Sequence, residues 1–302
     1  MSRLRISRTA ASVGLIVLLA VVNEARGDTK IPKAIISLSP SVTEILHGVG
    51  AFDRVVAVSS FCEYPPQAKE LLRVGGWQNT SLERVASLEP DLVIMTDAQA
   101  PFVQNHLQAL GIRSLVVGSQ SLDDVFSSIT EIGRAVGRSA EGERLAEHVR
   151  GELEDVRRRT ADLPRPRVLC VVDRLPGTLR DLYVATKGSY FADLIELAGG
   201  RPLLPPASHN YVKITAEAVI LLNPDVILDM VQAVAAPVTL IAAETNLVED
   251  PVGVWRELGG VRAVEEGRVY PLRDMQLVHP SQFVGKTARR IAEFLHPKAF
   301  ED

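Results

Sequence analysis

The chain has 302 residues, 46% of them hydrophobic and 23% charged, a balance that supplies cores for two compact domains and excludes a disordered protein. Its 37 acidic side chains outweigh 33 basic ones for a net charge of −4, and the basic residues are scattered apart from "RRR" at 157–159, which excludes the clustered positive footprint of a nucleic-acid binder. Two cysteines, Cys62 and Cys170, are too few for a disulfide-built scaffold, so the core must hold the fold.

In chain order, Arg3, Arg5 and Arg8 precede the apolar run "ASVGLIVLLAVV", and the small residues Ala25 and Gly27 follow it. This pattern predicts a signal peptide over residues 1–27, cleaved after Gly27, and hence an exported, periplasmic protein. The run is short of the roughly 20 apolar residues of a membrane span, with an uncleaved anchor as the alternative. No cysteine follows it to accept a lipid. Next, "AIISLSPSVTEILHGVG" reads as strand then helix, "RVVAVSS" as strand, "SLERVASLEPDLVIM" as helix then strand, and "HLQALGIRSLVVG" as helix then strand. Strands alternating with helices predict a parallel sheet with both faces covered.

From 121 to about 163 the pattern turns to sustained helix, with leucine and valine at three- and four-residue steps among many charges. "PRP" at 164–166 stops it, and "RVLCVVD" opens a second sheet. That lobe continues with the helix "SYFADLIELAGG", a helix-strand unit at 215–230, "VWRELGGVRAVEEGRVYPL" as helix, turn and strand, and a helix over about 282–295. The expected organisation is therefore a signal peptide at 1–27, an N-terminal α/β lobe at 34–138, a linking helix at 139–164 and a C-terminal α/β lobe at 165–302. The fold class is α/β, two Rossmann-like lobes with parallel sheets joined by one long helix, with a ligand cleft between them. Cys62 falls in a loop of the first lobe and Cys170 in a strand of the second; a bridge needs their Cα atoms within about 7 Å.

The helix-strand sentence is written twice. Aligning "SLERVASLEPDLVIM" with "TAEAVILLNPDVILDM" sets Glu83 on Glu217, Pro90 on Pro224 and Asp91 on Asp225, a constant offset of about 134 positions. That is far longer than a solenoid repeat and indicates two similar lobes. Ser81 and Thr215 are expected N-caps, and a glutamate two residues later favours the helix dipole.

Ligands of open parallel sheets bind outside the carboxyl ends of the strands. The loops expected there are "LSPSVTE", "SSFCEYPPQ", "GGWQNT", "PPASHNYVK" and "LRDMQLVHP", and three of the five carry aromatics: Phe61 and Tyr64, Trp77, and Tyr211. With only 5% aromatics in the chain, this placement indicates a flat or apolar ligand, although each ring could equally cap its own lobe's core.

Four blocks, "IISLSPSVTEIL", "SSFCEYPPQA", "VGGWQNTSLERVASLEPDLVI" and "GSYFADLIELAGG", stand in the order of the recurrent blocks of a known family. Over residue 34 to the C-terminus the chain resembles the periplasmic substrate-binding proteins of ABC importers whose lobes are joined by a rigid helix, and within them the cobalamin-binding branch. The resemblance implies a monomer that captures cobalamin or a related corrinoid as transported ligand, has no intrinsic cofactor or metal, and delivers its cargo to a membrane permease. Carried over by position, Phe61, Trp77 and Tyr211 become ligand-facing aromatics, joined by Cys62, Tyr64, Gln78, His209 and Asp274. A corrin offers a broad apolar face rimmed with amides, which aromatic walls suit. The loop "LRDMQLVHPSQF" is shorter than the family's and lacks the arginine that commonly follows its proline. Glu83 and Glu217 match the family's paired surface glutamates, which meet arginines of the permease.

Haem or a ferric siderophore is the alternative cargo. Haem carriers of the family commonly show a tyrosine block where this chain has "GGWQNTSLE"; siderophore carriers offer basic residues, for which Arg73, Lys213 and Arg273 are the candidates. His47, His106, His148 and His296 fall in or beside expected helices, whereas His209 and His279 fall in cleft loops, where either could serve as axial donor to cobalt. Catalysis is a remote alternative. "VGKT" at 284–287 has the ending of a phosphate loop, but Pro280 occupies the place of its first glycine, and G-x-S-x-G and H-E-x-x-H patterns are absent from the sequence.

Overall fold

Five short strands run parallel in the first sheet because the segments between them form covering helices. They are β1 (Ile35–Ser37), β2 (Val55–Val58), β3 (Leu72–Arg73), β4 (Leu92–Thr96) and β5 (Ser114–Val117), in the order β3-β2-β1-β4-β5. The connections include α1 (Pro40–Gly48), α2 (Leu82–Ser87) and α3 (Ala100–Ala109). In β1 and β4 every residue is buried, so they read as unbroken runs, "IIS" and "LVIMT", as doubly covered parallel strands do. The strand order reverses at β1, which opens a crevice between the loops leaving β1 and β4. Buried Gln99 spans it, donating from Nε2 to the Leu38 carbonyl at 2.7 Å.

This computed structural model describes residues 30–206, 209–230, 250 and 252–301. The expected signal peptide at 1–27 lies outside the described residues. The architecture below belongs to the compact unit Pro32–Asp302. Among the described residues, no helix is long and apolar enough to cross a membrane.

The helical stretch expected from 121 to 163 is two helices, α4 (Leu122–Ala135) and α5 (Ser139–Thr160), parted by Gly137 at φ +69°. Ser121 and Asp124 form a capping box that starts α4. The two helices touch backbone to backbone: a Cβ on Gly133 would lie 2.9 Å from the Arg138 carbonyl oxygen, and one on Gly142 would lie 3.0 Å from that of Ile129. Along α5, Gly142, Ala146, Val149, Leu153, Val156 and Thr160 are buried at alternating steps of four and three, a single stripe facing inward. The opposite face is charged and self-neutralising. Arg157 meets Glu154 at 2.7 Å and Arg158 meets Asp155 at 2.6 Å, so the chain's one basic run is paired on its own helix.

The second sheet has the order β11-β10-β6-β7-β9, with β8 paired to β6. Its strands are β6 (Arg167–Asp173), β7 (Leu182–Ala185), β8 (Arg201–Pro202), β9 (Tyr211–Ile214), β10 (Val226–Asp229) and β11 (Val269–Pro271). The pairs β10–β6, β10–β11 and β6–β8 are parallel, whereas β7 runs antiparallel to both β6 and β9. The antiparallel ribbon was not foreseen from the sequence. Its cause is local: a tight turn, closed by Leu175 N–H to the Arg180 carbonyl at 2.9 Å, joins β6 to β7, and so short a link can only reverse direction. Helices α6 (Tyr190–Leu197), α7 (Ala216–Leu222), α8 (Arg262–Glu265) and α9 (Val284–Leu295) complete the lobe. "VGKT" opens α9, with Gly285 packed against the Glu152 side chain of α5, so it is a helix-packing element.

The repeated Pro-Asp has a structural job in both lobes. Asp91 accepts from the backbone N–H of Lys33 (2.7 Å) and Ala34 (3.0 Å), and Asp225 accepts from that of Arg167 at 2.8 Å. Each carboxylate thereby pins the entrance of its lobe's central strand.

A single contiguous apolar cluster contains Ile35 and Ile94 of the first sheet, Val149 and Val156 of α5, and Leu228 and Ile291 of the second lobe. A core continuous through the connecting helix resists hinge opening, since interfaces packed this way move by small shifts or not at all. Small-angle scattering with and without ligand is therefore expected to give superimposable profiles; marked compaction on binding would contradict it.

Candidate functional site

The first-lobe wall is built by two loops that leave the carboxyl ends of β2 and β3. Arg73, at the end of β3, donates from Nη1 to the carbonyls of Ser59 (2.8 Å) and Cys62 (2.7 Å), bracketing Phe61. The neighbouring loop is folded tightly: Gly75 sits at φ +110°, Gly76 N–H donates to Asn79 Oδ1 at 2.9 Å, and Thr80 donates to the Gly76 carbonyl at 3.1 Å. Phe61 lies against Gly76, where a Cβ would fall 3.1 Å from its ring. Trp77 follows directly and is 49% exposed. Phe61 is half-buried against the buried Gly76, and the next two residues, Trp77 and Gln78, are exposed on the same loop frame. Arg73, a sequence candidate for anion recognition, serves this frame.

Cys62 corrects the expectation that it contacts ligand. It is wholly buried, accepts from the Thr43 hydroxyl at 3.1 Å and lies 3.2 Å from Ser59 Oγ. Burial pushes its thiol up, against weaker opposing effects of Ser59, Thr43 and Arg73. Cys62 and Cys170 are both free and buried. Tyr64 is half-buried, with its ring edge-on to His47 and to Phe283, each at 5.1 Å. This places it in the packing of the first lobe on the start of α9.

In the second lobe, Tyr211 opens edge strand β9, not the loop the sequence implied. Its ring packs on the core, and burial pushes its hydroxyl up to about 12, opposed by a hydrogen bond with Ser189. His209 is exposed, with its carbonyl held by the Thr186 hydroxyl. Asp274 is exposed and caps a short turn, accepting from Gln276 N–H at 3.0 Å.

Two seams tie the lobes. In one, Glu44 of α1, 2% exposed, meets His279 Nδ1 at 2.7 Å, while Gln282 Nε2 donates to the Glu44 carbonyl at 2.8 Å. His279 is therefore committed to Glu44 through Nδ1. Oε2 of Glu44 and Oε1 of Gln282 are buried without a partner among the described residues, so this seam fixes orientation more than it adds stability. The second seam runs through Gln120. Its carbonyl accepts from Tyr190 N–H at 2.9 Å, and its side chain joins Asp97 to Asn210.

Glu83 and Glu217 are exposed in the first turns of α2 and α7. The expected caps are present: Ser81 accepts from Arg84 N–H and Thr215 from Ala218 N–H, each at 3.3 Å. Its own N–H and then the Thr215 hydroxyl hold the Glu217 carboxyl below the usual range. Two open grooves of about 450 and 520 Å³ lie along α4, α5 and α6; neither is lined by a candidate ligand residue.

Residues 35–275 match the family described as periplasmic binding protein. An ABC transporter substrate-binding lipoprotein of Bacillus subtilis (strain 168) is 28% identical over 278 residues, 90% of this chain and 83% of its own. Vitamin B12-binding protein of Vibrio cholerae is similar in both sequence and structure: 29% identical over 202 residues, 67% of this chain and 71% of its own, and, for the crystal structure of the periplasmic protein, a TM-score of 0.71 at 25% identity, covering 90% of this chain and 99% of that one. The periplasmic heme-binding protein of Roseiflexus sp. RS-1 in its apo form gives a TM-score of 0.72 at 26% identity, covering 88% and 99%.

Proposed function

We propose that this chain, which belongs to the periplasmic binding protein family, captures cobalamin or a related corrinoid and hands it to the permease of an ABC importer. The coarser reading, a periplasmic binding protein of the vitamin B12, haem or iron type that delivers a small molecule to a membrane permease, follows from the family and its relatives. The observation that supports a corrinoid is the half-exposed Trp77 on the tightly hydrogen-bonded loop that packs Gly76 against Phe61, an exposed aromatic face fit for a broad macrocycle. In this reading Gln78 and His209 contribute from the adjoining loops and Tyr211 from the start of β9, the protein acts as a monomer without catalysis, and residues 1–27 direct export.

Two of the three basic candidates for an anionic siderophore are already occupied, Arg73 by loop carbonyls and Lys213 by Asp181. Haem is the closer competitor, since a macrocyclic face suits the same wall and a haem-binding protein shares the fold. Calorimetry against cyanocobalamin, hemin and a ferric siderophore decides among them. The expected result is a one-to-one isotherm with cyanocobalamin; a hemin or siderophore isotherm with none for cobalamin overturns the proposal. Trp77→Ala is expected to lose about 1–3 kcal/mol of binding, roughly 5- to 150-fold, while keeping its cooperative melting transition.

A further inference from the structure

At the carboxyl edge of the first sheet, every polar atom of Gln120 is engaged. Its N–H donates to Asp124 Oδ2 at 3.0 Å and its carbonyl accepts from Tyr190 N–H at 2.9 Å. Its side-chain Nε2 donates to Asp97 Oδ2 at 3.2 Å, and Oε1 accepts from Asn210 Nδ2 at 2.9 Å. Asp97 follows β4 and is itself fixed, by Ser119 Oγ at 2.6 Å and by its own N–H to the Val117 carbonyl at 2.8 Å. Asn210 is the residue before β9. It lies between His209 and Tyr211, and its carbonyl accepts from Thr186 N–H at 2.9 Å. Gly188, at φ +96°, leaves room for it: a Cβ there would sit 3.1 Å from Asn210 Oδ1.

We infer that Gln120 is a positioning residue for the ligand site: its side-chain amide tethers the entry of β9, with His209 and Tyr211, to the carboxyl edge of the first sheet and so sets the separation of the two walls. The chemistry permits only this orientation of the amide, because a carboxylate can only accept and the Asn210 NH2 can only donate. A tether of this kind lowers the ordering cost that ligand binding would otherwise carry, so its loss shortens ligand residence. The inference rests on the proposed site, but the tether itself can be measured without ligand.

Hydrogen exchange on the intact chain provides that measurement. Gln120→Ala is expected to speed exchange at the Thr186 amide, which holds Asn210, by about tenfold or more, with the strands of both sheets still protected and the melting transition shifted no more than two lost hydrogen bonds allow. Cyanocobalamin is expected to dissociate about tenfold faster. Gln120→Glu supplies a positive control. At pH 7.5 its carboxylate faces that of Asp97, with Asp124 and Asp193 adding negative charge at the same corner, so it behaves like the alanine variant. Because neighbouring carboxylates raise the pKa of one of the pair, the penalty is present at high pH and disappears as pH falls through that raised value. Towards pH 5 the neutral acid can donate to Asp97 and accept from Asn210, and protection at Thr186 returns in this variant but not in Gln120→Ala.

Wild-type exchange at Thr186 in Gln120→Ala would overturn the tether, as would uniform loss of protection across both sheets, which marks a purely structural residue. If wild-type protein gives no cobalamin isotherm, the ligand reading fails while the exchange result still decides the tether.

Discussion

Asp229→Ala is expected to destabilise the chain by about 3–5 kcal/mol, lowering the melting temperature by roughly 6–20 °C. Asp229 ends β10, and its Oδ2 accepts from Arg174 Nε at 3.0 Å and from the Trp255 indole N–H at 2.7 Å. The Arg174 and Asp229 side chains are fully buried, as is Trp255. Arg174 also donates to the Thr178 carbonyl at 3.0 Å, so the pair anchors the β6–β7 turn as well as the carboxyl ends of two central strands. Removing the carboxylate takes from a buried guanidinium and a buried indole N–H the acceptor they share, which leaves part of the desolvation of both uncompensated. Replacing the two charges together, as Arg174→Met with Asp229→Leu, is expected to recover much of the loss because no charge then remains buried, although the indole still lacks its acceptor. Urea unfolding of the wild type and the two variants measures this. A loss under about 1 kcal/mol for Asp229→Ala would mean that the pair behaves like an exposed one.

That network could not be read from the sequence, and the reason is physical. Arg174 and Asp229 are 55 positions apart, and Glu44 and His279 are 235 apart; only the finished topology brings them together. The features that were legible are those determined within a few residues: the caps Ser81 and Thr215, the alternation of strands and helices in the first lobe, and the inward stripe of α5. Between these extremes, "LYVA" went unread and "YVKI" fell in part within an expected loop, because four residues carry too little pattern to mark a strand, still less its direction. At the site, the aromatic loops were visible because Phe61 and Trp77 stand outside any apolar pattern. The inward turn of Cys62 was not, since a small residue between Phe61 and Glu63 fits either side of a loop. The repeated Pro-Asp was visible as a pattern, yet its role in clamping a strand entrance required the partners' positions.

Changing Glu83 and Glu217 together to alanine is expected to abolish stable complex formation with the cognate permease and leave ligand capture intact. Both carboxylates occupy the second position of a short capped helix in equivalent copies of the repeated unit, and both are exposed. Among the described residues, Glu217 is held by its own N–H and the Thr215 hydroxyl, contacts that orient the group while leaving it accessible. We propose that these two charges, one per lobe, are read by basic groups on the permease. Charge-assisted hydrogen bonds are stronger than neutral ones, and losing the carboxylate leaves a cation unpaired in a partly desolvated interface. One charge fixes contact, whereas two on a frame with a continuous core fix orientation, so each single change is expected to weaken the complex by about tenfold or more and the pair to eliminate it. Folding and cyanocobalamin affinity should stay near wild type, because an exposed charge in a first helical turn interacts only weakly with the dipole. Uptake by permease vesicles supplied with the double variant provides the test: full uptake would reduce the repeated glutamates to ordinary helix-start residues and their repetition to a shared lobe plan.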